Sequence, residues 1–428
     1  MNTIGLDIGT TSICGVRINA ESGKSEKTVS AKNDFWIDGA PFERLQDAEK
    51  IFDTVLSLAN ELKDENTAAI GITGQMHGIV YLDKSLRAVS PLFTWQDGRG
   101  NLPYKNGTYA SFLNSFTGYG NVTHFYNETN KIIPESAVLY CTIHDYAAAR
   151  LAGRKSPVMH VSDASSLGGF DIKNNKFAYK NPFLPETTDT AEKLGEWHGI
   201  PVYTAIGDNQ ASFIGSGCND GCVLVNIGTG SQVSFSVNEP ITADGLETRP
   251  LSDGKFIAVG SSLCGGRAYA VLEGFFEKVL KMCGVSQEPL YEKMADEIGE
   301  TYKTGISFDT RLCGTRKMPE IRGSIKNIST ENFTPRDMIL GCMHGIANEL
   351  YCLYKSGGTN CTKLIASGNG IRKNRHLQNI TENTFGMKLH IPSLCEEAAA
   401  GAAIFAMTGC GIYKNLETAE RIIQYDLR

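Results

Sequence analysis

No run of this sequence approaches the roughly 18 apolar residues of a membrane span, and no charged-then-apolar leader opens it, so the cytoplasm is the expected compartment. Basic excess is missing as well. Lys and Arg number 41 against 47 Asp and Glu, a net charge of −6, which gives no positive field for nucleic acid or anionic lipid. The 12 cysteines contain no CxxC and no spacing that suggests zinc; they are expected as reduced core thiols, Cys342 and Cys352 on one helix. Asn-x-Thr triplets such as Asn121-Val122-Thr123 then read as chance matches. No GxxxxGK[ST] loop occurs, since Gly23-Lys24-Ser25 lacks the upstream glycine, and no GxGxxG follows a strand-like run. The two commonest nucleotide loops are therefore excluded. Low-complexity segments and long linkers are absent too.

What is present is a repeat. LDIGTTSICGVRI (residues 6–18) and VNIGTGSQVSFSV (residues 225–237) place Ile-Gly-Thr and a following Ser alike between apolar positions, about half the chain apart. At 428 residues the chain exceeds one ordinary core, and the repeat divides it into expected domains at 1–217 and 218–428.

Strand and helix signals follow the same plan in each half. Strands are expected at 3–8, 12–18, 68–73 and 202–206, with helices at 43–62 and 139–152. The second half repeats this with strands at 222–227, 231–237, 256–260 and 364–367. Its helices are expected at 267–282, from Thr334-Pro335 onward, near 373–385 and at 396–409. Alternating strands and helices, duplicated, predict two α/β domains facing one another.

A turn of Gly, Thr and Ser offers N–H groups and hydroxyls to phosphate oxygens, and Gly9 and Gly228 let backbone approach a ligand. Two such turns would grip a polyphosphate from opposite sides. The difference between them, Asp7 against Asn226, then has a reason: Asp7 can hold Mg²⁺, while a second carboxylate would repel the phosphates. Asp208 in GDNQAS (207–212) lies at a strand-to-helix junction, where the helix start favours an ionised carboxylate able to take a hydroxyl proton. GQMHG (74–78) and TWQDGRG (94–100) mix carboxylate, guanidinium and aromatic groups as carbohydrate sites do. SGNGIRKN (367–374) leaves room for a flat base. Glu396 and Glu397 read as a solvated first turn ahead of an Ala-rich helix. Each motif alone also has a purely structural reading: a hairpin turn, a helix cap, a tight core helix.

Taken in order, DIGTTS, GQMHG, DY…LAG, SDAS…GFD, GDNQAS, NIGTGS, SGNG and EEAAAGAA resemble the FGGY carbohydrate kinases over roughly residues 3–409. The resemblance implies a two-domain actin-like ATPase (ribonuclease H-like) α/β fold with an active-site cleft between the domains. It implies ATP and Mg²⁺ as cofactors, and phosphorylation of a primary hydroxyl of a ketose. ITGQMHGIVYLD, FTWQDGRG, TIHDY and GIPVYTAIGDNQAS lie closest to members that act on sedoheptulose; xylulose, ribulose, a deoxy-ketose or a polyol are the alternatives. By resemblance Asp208 is the base and Asp7 the metal residue. Gly9, Thr10, Thr11, Gly228, Thr229 and Gly230 hold phosphate, and Gly368, Asn369, Gly370 and Asn374 face the nucleotide. Gln75, Met76, His77, Trp95, Asp97, Arg99, Asn209 and Gln210 line the sugar side. Sugar and ATP are the expected partners, with no nucleic acid or membrane, and a homodimer is left open. A silent sugar or nucleotide sensor on the same fold and an actin-like filament protein are the readings from other classes.

Overall fold

The computed structural model describes residues 1–285, 289–315 and 317–426. The chain separates into two compact units. The first comprises Met1–Gly217, Arg249–Phe256 and Glu396–Gln424; the second comprises Cys218–Thr248 and Ile257–Cys395, with the last described residues from Tyr425. A single division at 217/218 is thus not what the contacts give. Two stretches of the second half join the first unit, and side-chain size explains the larger one.

Eight of the 13 residues of the helix Glu397–Gly409 are Ala or Gly, and the helix packs on three other elements of the first unit at backbone distance. A Cβ on Gly5 would lie 1.8 Å from the Ala399 carbonyl oxygen, one on Gly71 1.9 Å from that of Ala402, and one on Gly401 1.8 Å from that of Ala211. Only small residues on both sides allow this approach.

In the first unit the strands are β1 (Asn2–Ile8), β2 (Ser12–Asn19), β3 (Ser25–Lys32), β4 (Thr67–Gly74), β5 (Lys193–Trp197), β6 (Ile200–Tyr203) and β7 (Ile206–Gly207), in the order β5-β6-β4-β1-β2-β3 with β7 also on β4. β1, β2 and β3 run antiparallel, whereas β4 is parallel to β1, β6 and β7. The strands are apolar on alternate or on all positions. Ile4, Leu6, Ile8, Ile70 and Ile72 join Ile51, Val55 and Leu62 of the helix Ala48–Leu62 in one core.

The second unit repeats the plan with β8 (Cys222–Ile227), β9 (Ser231–Val237), β10 (Leu246–Pro250), β11 (Phe256–Ser262), β12 (Lys363–Ser367) and β13 (Leu389–His390), in the order β10-β11-β9-β8-β12-β13. Again an antiparallel hairpin, β8–β9, has a parallel strand, β12, on its other side.

Local chemistry sets the helix limits. The helix expected from residue 43 starts at Ala48 because Asp47 accepts the N–H groups of Glu49 and Lys50, and Leu45–Gln46 form a short strand first. The one expected over 139–152 runs over Ile143–Leu151, capped by Thr142. The Thr334 hydroxyl caps Pro335–Ser356 through the Asp337 N–H, as expected. No described helix is long and apolar enough to cross a membrane.

Candidate active site

Parallel pairing brings three strand ends of the first unit into line. Asp7 pairs with Thr73, Ile8 with Gly74, and Gly207 with Gly74. Asp7 therefore stands near the carboxyl end of β1, and Asp208 directly follows β7 as the first residue of the helix Asp208–Gly215. This is the edge where open α/β sheets bind ligands.

Asp7 is pushed up to about 7 from 3.8, by burial first and then by the charges of Asp208 and Glu396. Its buried Oδ1 has no hydrogen-bond partner. A carboxylate so placed lacks a compensating positive charge, and a divalent cation with a preference for oxygen ligands fits the deficit. Glu396 is half-buried and faces Asp7 electrostatically; it is more than a solvated first turn. For Asp208 the helix start does not decide the matter. Burial raises its pKa, while His144, Arg249 and the Asn209 contacts pull it down. Asn209 donates to Asp208 Oδ1 over 3.2 Å and accepts from Arg249.

A polar cluster near Asp208 had no role assigned from sequence. The Gly207 N–H donates to Ser162 Oγ over 2.9 Å, and Asp163, the next residue, lies 2.9 Å from His144 Nε2. His144, Asp145 and Asp163 are all fully or almost fully buried, with one donor atom from each within 4.8 Å of the others. Burial pushes both carboxyls well above their usual range. Shared protons or a bound cation would each relieve this arrangement. The IHDY and SDAS motifs that supply these residues were visible in the sequence, but only as marks of resemblance.

On the adjoining side, Thr10 Oγ1 donates to Gln75 Oε1 over 3.3 Å and accepts from the Trp95 indole over 2.9 Å; Gln75 in turn donates to Gln46. Met76 and Gln210 are buried against Gly207, where a Cβ would lie within 2.8 Å of both. Gln210 donates to the Pro250 carbonyl. His77 takes a left-handed φ of 73°, held by Ser166 through its N–H and Nδ1 and stacked on Tyr119 at 4.3 Å. A strained non-glycine backbone of this kind collects at functional sites.

Asp97 and Arg99, expected on the sugar side, form a buried fork. Both are 0% exposed. Asp97 Oδ1 lies 2.6 Å from Arg99 Nε, the guanidinium reaches Asn127 at 2.5 Å, and it covers the Phe93 ring at 4.2 Å. Their polar atoms are spent on each other, on Asn127 and on the turn, while Trp95, 44% exposed, and Gln96 are open on that loop.

The two glycine turns share a device. In the first, Asn33 donates to the carbonyls of Gly9 and Thr11, and Gln46 to that of Thr10. In the second, the Gly266 and Arg267 N–H groups bind the carbonyls of Gly228 and Thr229, and Gly228 closes on Gly230. Carbonyls tied back in this way leave the N–H side of each turn for an anion. Among the described residues, no acceptor takes the N–H of Thr10, Thr11 or Thr229.

Gly368 has φ 89°, and a Cβ on it or on Gly370 would come within 2.7 Å of the Ile227 carbonyl oxygen. Close passage over the end of β8 is their first requirement. Asn369 is exposed. Asn374, expected on the nucleotide side, caps the helix Arg375–Phe385 through its side-chain oxygen.

Family models fit both halves. Residues 2–181 match the N-terminal domain of the FGGY family of carbohydrate kinases and residues 223–410 its C-terminal domain. The chain belongs to the FGGY family.

This FGGY chain is a phosphotransferase acting on a sugar hydroxyl, with ATP the donor that the family implies. It is similar to mouse sedoheptulokinase, 25% identical with 90% of this chain and 92% of the relative covered. It is similar also to a xylulose kinase of Staphylococcus epidermidis, 23% identical with 99% and 91% covered. Among solved structures, the ligand-bound xylulose kinase from Lactobacillus acidophilus superposes with a TM-score of 0.84 at 18% identity, covering 100% and 93%. Plasmodium falciparum glycerol kinase with ADP gives 0.79 at 17%, covering 100% and 93%. The fold of these FGGY kinases is the one described above.

Proposed function

We propose that this kinase phosphorylates the primary hydroxyl of a ketose, sedoheptulose first, to give sedoheptulose 7-phosphate. The observation that carries the chemistry is the placing of Asp208 at the strand-to-helix junction beside Asp7. Asp208 accepts the proton of the attacking hydroxyl, and burial keeps that carboxylate basic enough to do so. Asp7 holds Mg²⁺, which when bound spreads charge from the transferring phosphoryl group. The Gly9–Thr11 and Gly228–Gly230 turns give N–H groups to phosphate oxygens. The first unit binds the sugar through Gln75, Met76, His77, Trp95, Asn209 and Gln210, and the second binds the nucleotide, in the cytoplasm.

The choice of sugar is supported by two sedoheptulokinases, from mouse and human, at 25% and 24% identity. Glycerol and xylulose kinases follow at 23%, so another sugar or polyol is the second reading. ADP release measured over a panel of ketoses and polyols separates them: turnover with xylulose and none with sedoheptulose refutes the proposal.

A further inference from the structure

In the second unit the helix Gly265–Met282 begins against the Gly228–Gly230 turn with no slack. Besides the two hydrogen bonds from Gly266 and Arg267, a Cβ on Gly265 would lie 2.6 Å from the Gly230 carbonyl carbon. Cys264 is the residue just before this helix, and it is 1% exposed. Its Sγ lies 3.8 Å from that of Cys313, which is half-buried on a turn after the strand Ser307–Asp309. The Arg267 guanidinium reaches to 3.7 Å from the Cys313 sulfur.

We propose that Cys264 and Cys313 are an oxidative modification site, a dithiol that a peroxide converts into an intramolecular disulfide beside the Gly228–Gly230 turn.

The two thiols divide the work by position. Cys313 is the accessible one of the two, half-buried where Cys264 is 1% exposed, and so is the one a peroxide meets first. Cys264 is held as a thiol, burial and the neighbouring Cys313 pushing it up to about 11. Cys313 thiolate attacks one peroxide oxygen, the O–O bond breaks, and Cys313 sulfenic acid and hydroxide result. The Cys264 sulfur then displaces hydroxide from Cys313; the S–S bond forms and the Cys264 proton leaves with the hydroxide as water. One peroxide takes two electrons from two thiols and gives two waters.

A disulfide spans about 2.05 Å, so the sulfurs must close most of the gap between them. The Cys313 segment is anchored, because Thr310 donates to Glu349 and Asp309 pairs with Arg311. Movement therefore falls partly on Cys264 and is passed through Gly265 to the turn. That this weakens nucleotide binding rests on the proposed phosphate role of the turn; formation of the disulfide does not.

The full-length protein is reduced, freed of reductant and treated with graded hydrogen peroxide. Expected is an intact mass about 2 Da lower, a Cys264–Cys313 linked peptide in a non-reducing digest, and reversal by dithiothreitol. The KM for ATP should rise about tenfold, as for loss of one hydrogen bond to a charged group. Cys313→Ser should keep its basal activity, form no link and show no peroxide-dependent change in KM, with Cys264→Ala as the second variant. No link, or a link from Cys264 to Cys342 instead, overturns the modification site. A Cys264–Cys313 link with unchanged KM upholds it and refutes the phosphate role of the turn.

Discussion

Asp7 should weaken the fold that contains it, and the size of the effect follows from its surroundings. Its carboxyl titrates near 3.8 when unfolded and at about 7 when folded. Between those values the folded chain keeps a proton that the unfolded chain has released, so stability falls as pH rises through this window and the loss is complete above pH 7. Three pKa units correspond to about 4 kcal/mol. Asp7→Asn has the same shape and no charge to bury. The variant should match the parent at pH 4, and its advantage should widen by about 3 kcal/mol between pH 5 and pH 8. For a unit of roughly 250 residues, that is about 6 °C in Tm. Melting curves of both proteins in a chelator, at half-unit steps of pH, make the measurement.

If Asp7 holds the cation as proposed, the same variant should lose Mg²⁺-dependent turnover, because the buried oxygen that costs stability is then the one that meets the cation. A difference in Tm that stays flat from pH 5 to pH 8 would refute the reasoning, since it would mean that the protein itself already neutralises Asp7. A cation-independent turnover in the variant would refute the metal role separately.

Asp208→Asn should bind ATP within twofold of the parent and lose about 10²–10⁴ in kcat; isothermal titration and ADP release check this, and near-normal turnover would remove Asp208 from the mechanism. Gly401→Ala puts a methyl 1.8 Å from the Ala211 carbonyl oxygen, so the helix must back off and stability should fall by about 3 kcal/mol, read from the denaturant midpoint. Arg99→Lys removes the fork that satisfies buried Asp97 and should cost about 3–5 kcal/mol, whereas Trp95→Ala should leave Tm nearly unchanged and raise the KM for sugar. Unchanged stability in Arg99→Lys with a raised sugar KM would return Arg99 to the sugar site.

The repeated turn made the architecture legible, because a Gly-Thr turn between two apolar alternations specifies a hairpin and its second copy specifies a second sheet of the same kind. What the sequence could not convey is which unit a helix joins. The Ala and Gly residues that make up eight of the 13 positions of 397–409 say that something passes close by, and only the glycines at 5, 71 and 215 on other elements, distant in sequence, reveal what. Those glycines lie in strands and a short helix, where composition reads them as ordinary weak points.

Site residues divide along a similar line. Asp7 and Asp208 stood out as candidates because each is a carboxylate at the end of a sheet strand, within two residues of a glycine. Asp97 and Arg99 carry two readings in sequence, because carboxylate, guanidinium and aromatic groups suit a sugar pocket and a buried fork equally, and the fold buries both side chains. His144, Asp145 and Asp163 were passed over for the converse reason. Each sits on or beside a short helix with local capping contacts nearby, yet folding gathers them beside Asp208. Three carboxyls with raised pKa and one imidazole within a single buried neighbourhood form an assembly whose charge must be set jointly. Any change at His144 should therefore be read first at Asp208, in kcat, before it is read as a loss of fold.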